Sequence, residues 1–422
     1  MGALSALEYA AMKILRFQGV RYRRPDAGEL AAPPFDQIDN TLRQRLHGQS
    51  EVHFSQLTRP DPQAGDQHQH AHELHESWLE DGVAALDGEP SLYPYRIEAT
   101  DGSVRRGLFA LVGVGPSSEG DLRPHEHTVA KPLADRLALL EATRVDLEPV
   151  MLMAEDPDGD YEAMLAEDCH GEELVRAIDP LHGDTHVLLH PPSGERAQAY
   201  QDLLASRQAV IADGHHRTKV AQMFSQKHEP AEGTAACAKL AVLLSLASED
   251  VVIDPIHRAL MRDDVDLEAM IRRAKERSSF AGEGGKAFAE AVAAAPTPSV
   301  GVWISGSAPE IWTLDADDVP EDTPGRKAEL PAILLQYQLF AAAGLSIENA
   351  SDGTLAYRSD ADDLWQMVSS GEATAGFWLP PMAPEAFALA TAGGDVMPPK
   401  STRFMPKLAS GLVWSSHSGR TE

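Results

Sequence analysis

Short apolar runs alternate along the chain with polar turns and with segments whose apolar residues recur every three or four positions. Residues 93–99 and 103–115 read as strands, and the Asp101-Gly102 turn between them predicts a β-hairpin. Residues 133–143 have helical spacing, and 149–155 form a short apolar run typical of a buried strand. This pattern predicts a mixed α/β protein.

The segment before this hairpin predicts a loop, a helix and a further strand. Pro33 and Pro34 exclude a continuous helix, and Asp36 stands where an N-cap would open a helix over residues 37–46. Residues 51–57, with the sequence EVHFSQL, are the strand candidate that follows.

The middle of the chain continues the alternation, with strands predicted at 209–213 and 239–247 and a helix at 215–227. An Ala- and Gly-rich stretch at 282–298 ends in two prolines and predicts a transition between two parts of the chain. We therefore expect a catalytic or ligand-binding domain over 15–280 and an α/β subdomain over 281–415 that completes the site. The fold class is mixed α+β, with mixed sheets and flanking helices.

Charge limits the range of partners. Sixty-five acidic residues against 36 basic ones give a formal net charge of −29. A field of that sign repels phosphate backbones and anionic lipid headgroups, so we expect neither nucleic acid nor a membrane as a partner. The two cysteines form no metal-binding or disulfide pattern, and neither a signal peptide nor a membrane-spanning run is evident. These features predict a cytoplasmic protein.

The first cluster of candidate functional residues is the sequence RPHEHT, which begins at Arg123. His125 and His127 are two positions apart, so on an extended backbone both rings face one side, as ligands of a shared metal ion would, while Glu126 faces the other. Two histidines that merely hold a loop in place would give the same pattern.

The second cluster is Asp213-Gly214-His215-His216-Arg217-Thr218, between a predicted strand and a predicted helix. A helix that opens here aims backbone N–H groups and a positive dipole end at an anion. Gly214 allows close approach of the backbone, Arg217 offers a cationic fork, and Asp213 could act as a base or hold a divalent cation. An ordinary capped helix, with Asp213 as the N-cap, is an equally good interpretation.

A third cluster, PPKSTRFMPK, concentrates Lys400, Ser401 and Lys407 in a chain with few lysines. Such a positive island suits a phosphate, although a solvated loop would have the same composition. The His257-Arg258 pair at the end of an apolar run is a weaker signal.

Five motifs in this order, APPFDQI, RPHEHT, IADGHHR, IDPIHR and MPPKSTRFMPKLASGLV, resemble a widespread prokaryotic family catalogued as a domain of unknown function, number 1015. The resemblance covers roughly residues 17–413. Over residues 209–224 alone, DGHHR after a strand is similar to the motif of archaeal free serine kinases. Those kinases belong to the fold group of ParB nucleotide domains and sulfiredoxin, and the resemblance implies that the turn contacts nucleotide phosphates. Family members usually carry Tyr and Glu after DGHHR, whereas this chain has Thr218 and Lys219, and Thr218 offers a hydroxyl to phosphate.

The leading hypothesis from sequence is a small-molecule kinase that uses ATP or ADP with Mg²⁺ to phosphorylate a small hydroxyl-bearing metabolite. A metal-dependent hydrolase or phosphatase is the second, with His125, His127, His215 and Asp213 around Zn²⁺ or Mn²⁺. A non-catalytic nucleotide sensor is the third. The catalytic candidates are Asp213, His215, His216, Glu126 and His125, the phosphate-binding candidates are Gly214, Arg217, Thr218, Arg123, Lys400 and Ser401, and the metal-binding candidates are His127 and Asp213.

Overall fold

The structure is a computed structural model that describes residues 12–62, 65–118, 122–125, 131–391 and 395–422. It has a mixed α+β fold, which confirms the predicted class. In chain order the strands are β1 (Ile14–Leu15), β2 (Gly19–Tyr22), β3 (Ala84–Leu86), β4 (Tyr93–Glu98), β5 (Val104–Gly113), β6 (Leu122–Arg123), β7 (Val145–Asp146), β8 (Val150–Ala154), β9 (Glu173–Ile178), β10 (Thr185–Leu189), β11 (Ala209–Asp213), β12 (Ala238–Ser245), β13 (Val252–Asp254), β14 (His257–Leu260), β15 (Glu276–Ser279), β16 (Ser299–Ile304), β17 (Glu310–Thr313), β18 (Leu355–Arg358), β19 (Ala375–Trp378), β20 (Arg403–Met405) and β21 (Trp414–Ser416). The α-helices are α1 (Asn40–Gln49), α2 (Ser55–Thr58), α3 (Gln67–Glu80), α4 (Lys131–Thr143), α5 (Asp160–Asp168), α6 (Gly194–Leu204), α7 (His215–His228), α8 (Leu267–Arg273), α9 (Gly285–Ala293), α10 (Pro331–Leu334), α11 (Ala361–Ser369) and α12 (Pro384–Thr391).

The chain divides into two compact units, and the division falls after Asp250. The first unit holds residues 1–123, 128–250 and 406–422, and the second holds 124–127 and 251–405. The sequence places the boundary at 280/281 instead. The difference arises because β15, just before that point, pairs along its whole length with β17, so both strands belong to one sheet of the second unit.

A mixed sheet organises the first unit. Its hydrogen-bonded order over the described residues is β6-β11-β8-β12-β5-β4-β10-β9, with β1 also paired to β5. The β11–β6 and β12–β8 pairs are parallel, and the other pairs are antiparallel. Strands β8 and β12 are buried along their whole length, which explains their mostly apolar sequences. The core of this sheet includes Leu108, Val150, Leu152, Ile211 and Leu243.

The second unit has an antiparallel sheet of its own, in the order β15-β17-β16-β19-β14-β18. Its core includes Leu260, Trp312, Leu335 and Phe377, and a second apolar cluster is formed around Phe288 and Trp378. The predicted transition at 282–298 contains helix α9, whose Phe288 and Val292 are buried in this unit.

Two local predictions near the N-terminus are wrong. The strand predicted at 51–57 is a turn followed by α2, and the His53 ring accepts a hydrogen bond from the Ser55 backbone N–H within this turn. The helix predicted from residue 37 begins at Asn40, and its N-cap is Asp39, whose carboxylate accepts from Leu42 N at 2.7 Å. Asp36 lies in a separate 3₁₀ turn.

Candidate functional site

The DGHHR motif of the first unit forms a sharp turn between β11 and α7. Residues 209–212 of β11 are buried between β6 and β8, and this pairing holds the end of the strand, Asp213, in place. Gly214 has φ 96°, a left-handed conformation that disfavours a side chain, and an added Cβ would lie 2.6 Å from Val150 Cγ1. Glycine is therefore required both by conformation and by space.

Asp213 is not the N-cap of α7, because that position is taken by Gly214, which has no side chain with which to cap the first turn. Its carboxylate instead lies between two cations. One oxygen is 2.7 Å from Arg217 Nη2, and the other accepts a hydrogen bond from Lys407 Nζ. The three side chains together leave one net positive charge at the turn.

This arrangement lowers the pKa of Asp213. Burial alone would raise its pKa, but the charges of Lys407 and Arg217, with a smaller contribution from His215, outweigh burial and lower the pKa to about 2. A carboxylate with such a pKa accepts a proton poorly at neutral pH. The geometry therefore favours Asp213 as an orienting group and argues against its role as the general base.

The buried Arg217 guanidinium is held by two groups. Besides its ion pair with Asp213, it donates to the Pro149 carbonyl oxygen. Burial opposes the charge of Arg217, but Asp213 and then Glu148 act against burial, and its pKa is raised overall. The predicted cationic fork is thus present and charged.

The other members of the motif are placed differently. His215 is buried, and His216 is half-buried in the first turn of α7. Thr218 is 1% exposed and its hydroxyl donates to the Gly214 carbonyl oxygen at 3.2 Å. That bond satisfies the helix backbone, so the geometry favours a structural role for Thr218 over phosphate binding.

Sequence reasoning missed a set of buried charges next to the turn, Asp146, Glu148 and Lys239. Lys239 donates to the Asp146 carboxylate and, at 2.7 Å, to the Glu148 carbonyl oxygen. Burial lowers the pKa of Lys239 and raises that of Glu148. These residues and Arg217 line a cavity of about 50 Å³. Two features of the sequence could have indicated this set: a lysine within the mostly apolar strand β12, and two acidic residues just before β8.

Arg123 lies on β6, opposite Val210 of β11, which places it one strand away from the turn. Arg123 is 9% exposed, and its guanidinium pairs with Glu155 at 2.6 Å. The structure therefore places this predicted phosphate ligand in the same unit as DGHHR, already paired with a carboxylate.

The RPHEHT motif is described only as far as His125. That residue belongs to the second unit, is 1% exposed, and lies with its Nε2 2.6 Å from Thr402 Oγ1. Its ring meets that of Phe387 edge-on at 5.0 Å. Glu126 and His127 lie outside the described residues, so a metal shared by the two motifs stays a prediction.

The PPKSTR turn is also in the second unit. Lys400 is exposed with φ 60°, and its carbonyl oxygen accepts from Arg258 Nη2 at 3.1 Å. Ser401 is buried and donates to the Pro398 carbonyl oxygen.

Arg258 is an unusual buried cation. It is 3% exposed, and within the described residues it donates to the carbonyl oxygens of Ile256 and Lys400 rather than to a carboxylate. Burial lowers its pKa to about 10.

A group with the composition of a metal site lies elsewhere in the first unit. Asp179, His182 and Asp184 bring ligand atoms within 4.8 Å of one another. The Asp179 carboxylate accepts from the backbone of Leu181 and His182, and Asp184 accepts from Thr100 N at 3.0 Å. Asp179 thus stabilises the turn between β9 and β10, and Asp184 links that turn to the one between β4 and β5.

Comparison with known proteins identifies the family. A family model described as "Protein of unknown function (DUF1015)" matches residues 14–342. The chain belongs to this family. The resemblance drawn from the five motifs is confirmed, and the DUF1015 match includes DGHHR but ends before the PPKSTR turn.

Several solved structures are similar to this DUF1015 chain at low identity. A conserved hypothetical protein from Pyrococcus furiosus has 15% identity and a TM-score of 0.34, over 71% of this chain and 90% of that one. A free serine kinase in complex with AMP has 16% identity and a TM-score of 0.34, over 71% and 87%. SbnI with a C-terminal truncation, from Staphylococcus aureus, has 12% identity and a TM-score of 0.36, over 71% and 84%. No curated protein matches the chain in sequence. Among the described helices, none combines the length and apolar character needed to cross a bilayer.

Proposed function

We propose that the chain is a phosphotransferase that binds ATP or ADP at the DGHHR turn and phosphorylates a small hydroxyl-bearing metabolite. The observation that carries the proposal is the turn itself, a glycine with φ 96° at the start of the 14-residue helix α7, beside the two cations that flank Asp213. A helix start of this kind suits a phosphate group. The similarity of the motif to that of free serine kinases supports the same reading.

In this proposal each residue of the turn has a defined task. The first-turn backbone of α7 and Gly214 receive the phosphates, and Arg217 neutralises charge on the transferred group. Asp213 orients Arg217 and Lys407 through its two oxygens. Bound Mg²⁺ would neutralise part of the phosphate charge.

The transfer itself forms one bond and breaks one. The acceptor oxygen bonds to the terminal phosphorus of the nucleotide while the bond from that phosphorus to its bridging oxygen breaks, which leaves ADP from ATP or AMP from ADP. The acceptor proton must leave, and Asp213, with a pKa of about 2, accepts it poorly. Glu126, which lies outside the described residues, is the other base that the sequence suggests. His125, His215 and His216 stay catalytic candidates from sequence.

The test is ³¹P NMR of the full chain with Mg²⁺, ATP or ADP, and a panel of small hydroxyl compounds that includes free serine. We expect a phosphate-ester resonance with at least one acceptor, and we expect Glu126→Gln to abolish it. Glu51→Gln, which removes the charge of an exposed glutamate, is the control and should keep the resonance. Nucleotide binding without any ester would favour a sensor. Absence of nucleotide binding would overturn the proposal.

A further inference from the structure

The loop Pro33–Gln37, called here the PPF loop, belongs to a family motif to which the proposed function gives no task. Pro33 and Pro34 are buried, and Phe35 to Gln37 form a single 3₁₀ turn. Asp36, at its centre, is exposed.

One end of the PPF loop is attached to the Arg217 side of the turn. The Phe35 backbone N–H donates to Glu148 Oε1 at 2.9 Å, and Glu148 and Arg217 line the same cavity. The Arg136 guanidinium, which lines that cavity as well, stacks over the Phe35 ring at 4.3 Å. Phe35 is therefore fixed by its backbone and by its ring.

Both ends of the loop face a cavity that Lys407 also lines. Gln37, Pro33 and Pro34 line a second small cavity together with Lys407. Lys407 and Arg217 are the two cations that bind opposite oxygens of Asp213. Asp36 therefore lies in the chain between Phe35, which is hydrogen-bonded to Glu148, and Gln37, which lines a cavity with Lys407.

The charge of Asp36 acts on the turn. Although burial lowers the pKa of Arg217, nearby carboxylates raise it overall, first Asp213, then Glu148 and then Asp36. Asp36 also adds to the effect of burial in raising the pKa of Glu148. Asp36 thus lies within electrostatic reach of the residue assigned to the transferred phosphate.

An exposed carboxylate close enough to act on Arg217 would repel a polyphosphate bound there, unless a cation lies between them. Mg²⁺ is commonly held by one or two carboxylates together with substrate phosphates and retained water. Asp213 is a poor candidate for that carboxylate because both of its oxygens are engaged by cations. Asp36 has the required chemistry and exposure.

We propose that Asp36 is a ligand of the divalent cation that accompanies the nucleotide phosphates at the DGHHR turn. This inference rests on the proposed nucleotide binding and adds a specific residue to it. A carboxylate that binds the cation should strengthen binding of the Mg²⁺-bound nucleotide and weaken binding of the metal-free nucleotide. Its role can therefore be measured by binding alone.

The test is calorimetric titration of the full chain with ADP, in excess Mg²⁺ and separately in EDTA, for the wild type and for Asp36→Asn. Glu51→Gln is the matched control, since it removes one exposed negative charge from the same unit. We expect D36N to weaken Mg²⁺-ADP binding by about tenfold and to tighten metal-free ADP by about two- to fivefold, because the repulsion is removed. E51Q is expected to match the wild type in both conditions.

Three results would overturn the inference. Equal affinities for D36N and E51Q in both conditions, with ADP bound, would exclude Asp36 as a cation ligand and leave the proposed function intact. Weakening of ADP binding by D36N to the same extent with and without Mg²⁺ would indicate a role that does not involve the cation. Failure of the wild type to bind ADP in either condition would overturn both the proposed function and this inference.

Discussion

The Asp213 carboxylate lies 2.7 Å from Arg217 Nη2, one helical turn further along the chain, while its second oxygen accepts from Lys407. The sequence suggests Asp213 as an N-cap or a base, but in the structure it links two cations at the start of α7 and leaves one net positive charge there. The two cations hold the pKa of Asp213 at about 2 against the opposing effect of burial.

The depressed pKa predicts how stability depends on pH. Because the folded-state pKa of about 2 lies below the ordinary value of 3.8, the stabilisation is complete above about pH 4 and is lost as pH falls towards 2. Asp213→Asn should therefore cost about 2 to 3 kcal/mol at pH 7. The difference in unfolding free energy between wild type and D213N should begin to narrow below about pH 4 and should close at about pH 2 in urea unfolding.

Asp158→Asn is the matched control, since Asp158 is 70% exposed and only 3.4 Å from Arg207. We expect its effect to stay within about 0.5 kcal/mol at every pH. A D213N penalty that is independent of pH between 2 and 7 would contradict the assigned ion pairing.

Gly214 should tolerate substitution less well than another left-handed glycine in the same unit. Gly159 has φ 74° and nothing within 4 Å of an added Cβ, so Gly159→Ala should cost about 1 kcal/mol from backbone strain alone. Gly214→Ala adds a 2.6 Å clash with Val150 Cγ1 and should cost at least about 2 kcal/mol. Equal penalties for the two variants in chemical denaturation would show that the clash is relieved at no cost.

The buried Lys239–Asp146 pair should be strongly stabilising only while both charges are present. Lys239→Met leaves the Asp146 carboxylate buried without its cation and should cost about 3 kcal/mol or more. The double variant Lys239→Met, Asp146→Asn should recover part of this loss, because it removes the orphaned charge. Additive penalties in thermal unfolding would mean that the two side chains do not interact.

Arg258 gives the complementary case of a buried cation that donates to carbonyl oxygens. Arg258→Met removes a desolvated charge whose pKa is lowered to about 10, and it leaves two carbonyl groups without this donor. These effects oppose each other, so we expect a change of about 1 kcal/mol or less in unfolding free energy. A loss as large as that of Lys239→Met would indicate a counter-charge for Arg258.

The sequence predicted the site best where local rules act alone. The strand 209–213 was predicted at the bounds found for β11, and the helix 215–227 differs from α7 by one residue. Both follow from a buried apolar run and a glycine that reverses the chain. The predictions at 280/281 and 51–57 differ from the structure where tertiary or side-chain contacts act, namely the β15–β17 pairing and the hydrogen bond from the Ser55 N–H to the His53 ring.

The role of Asp213 was beyond sequence reasoning for a similar reason. Lys407, which completes its pairing, is 194 positions further along the chain, and no local pattern relates the two. Glu148 and Phe35 are 113 positions apart and are brought together only by the fold. Long-range pairs of this kind set the electrostatics of the turn, whereas the motif fixes only which residues are present.

Hydrogen–deuterium exchange of the full chain with and without Mg²⁺-ADP tests nucleotide binding at the DGHHR turn most directly. Backbone amides at a helix start that bind phosphate exchange more slowly when the phosphate is present. We predict ADP-dependent protection in peptides that cover residues 213–218, with smaller changes along the rest of α7. Protection elsewhere with none at 213–218, under conditions where ADP is bound, would contradict the account.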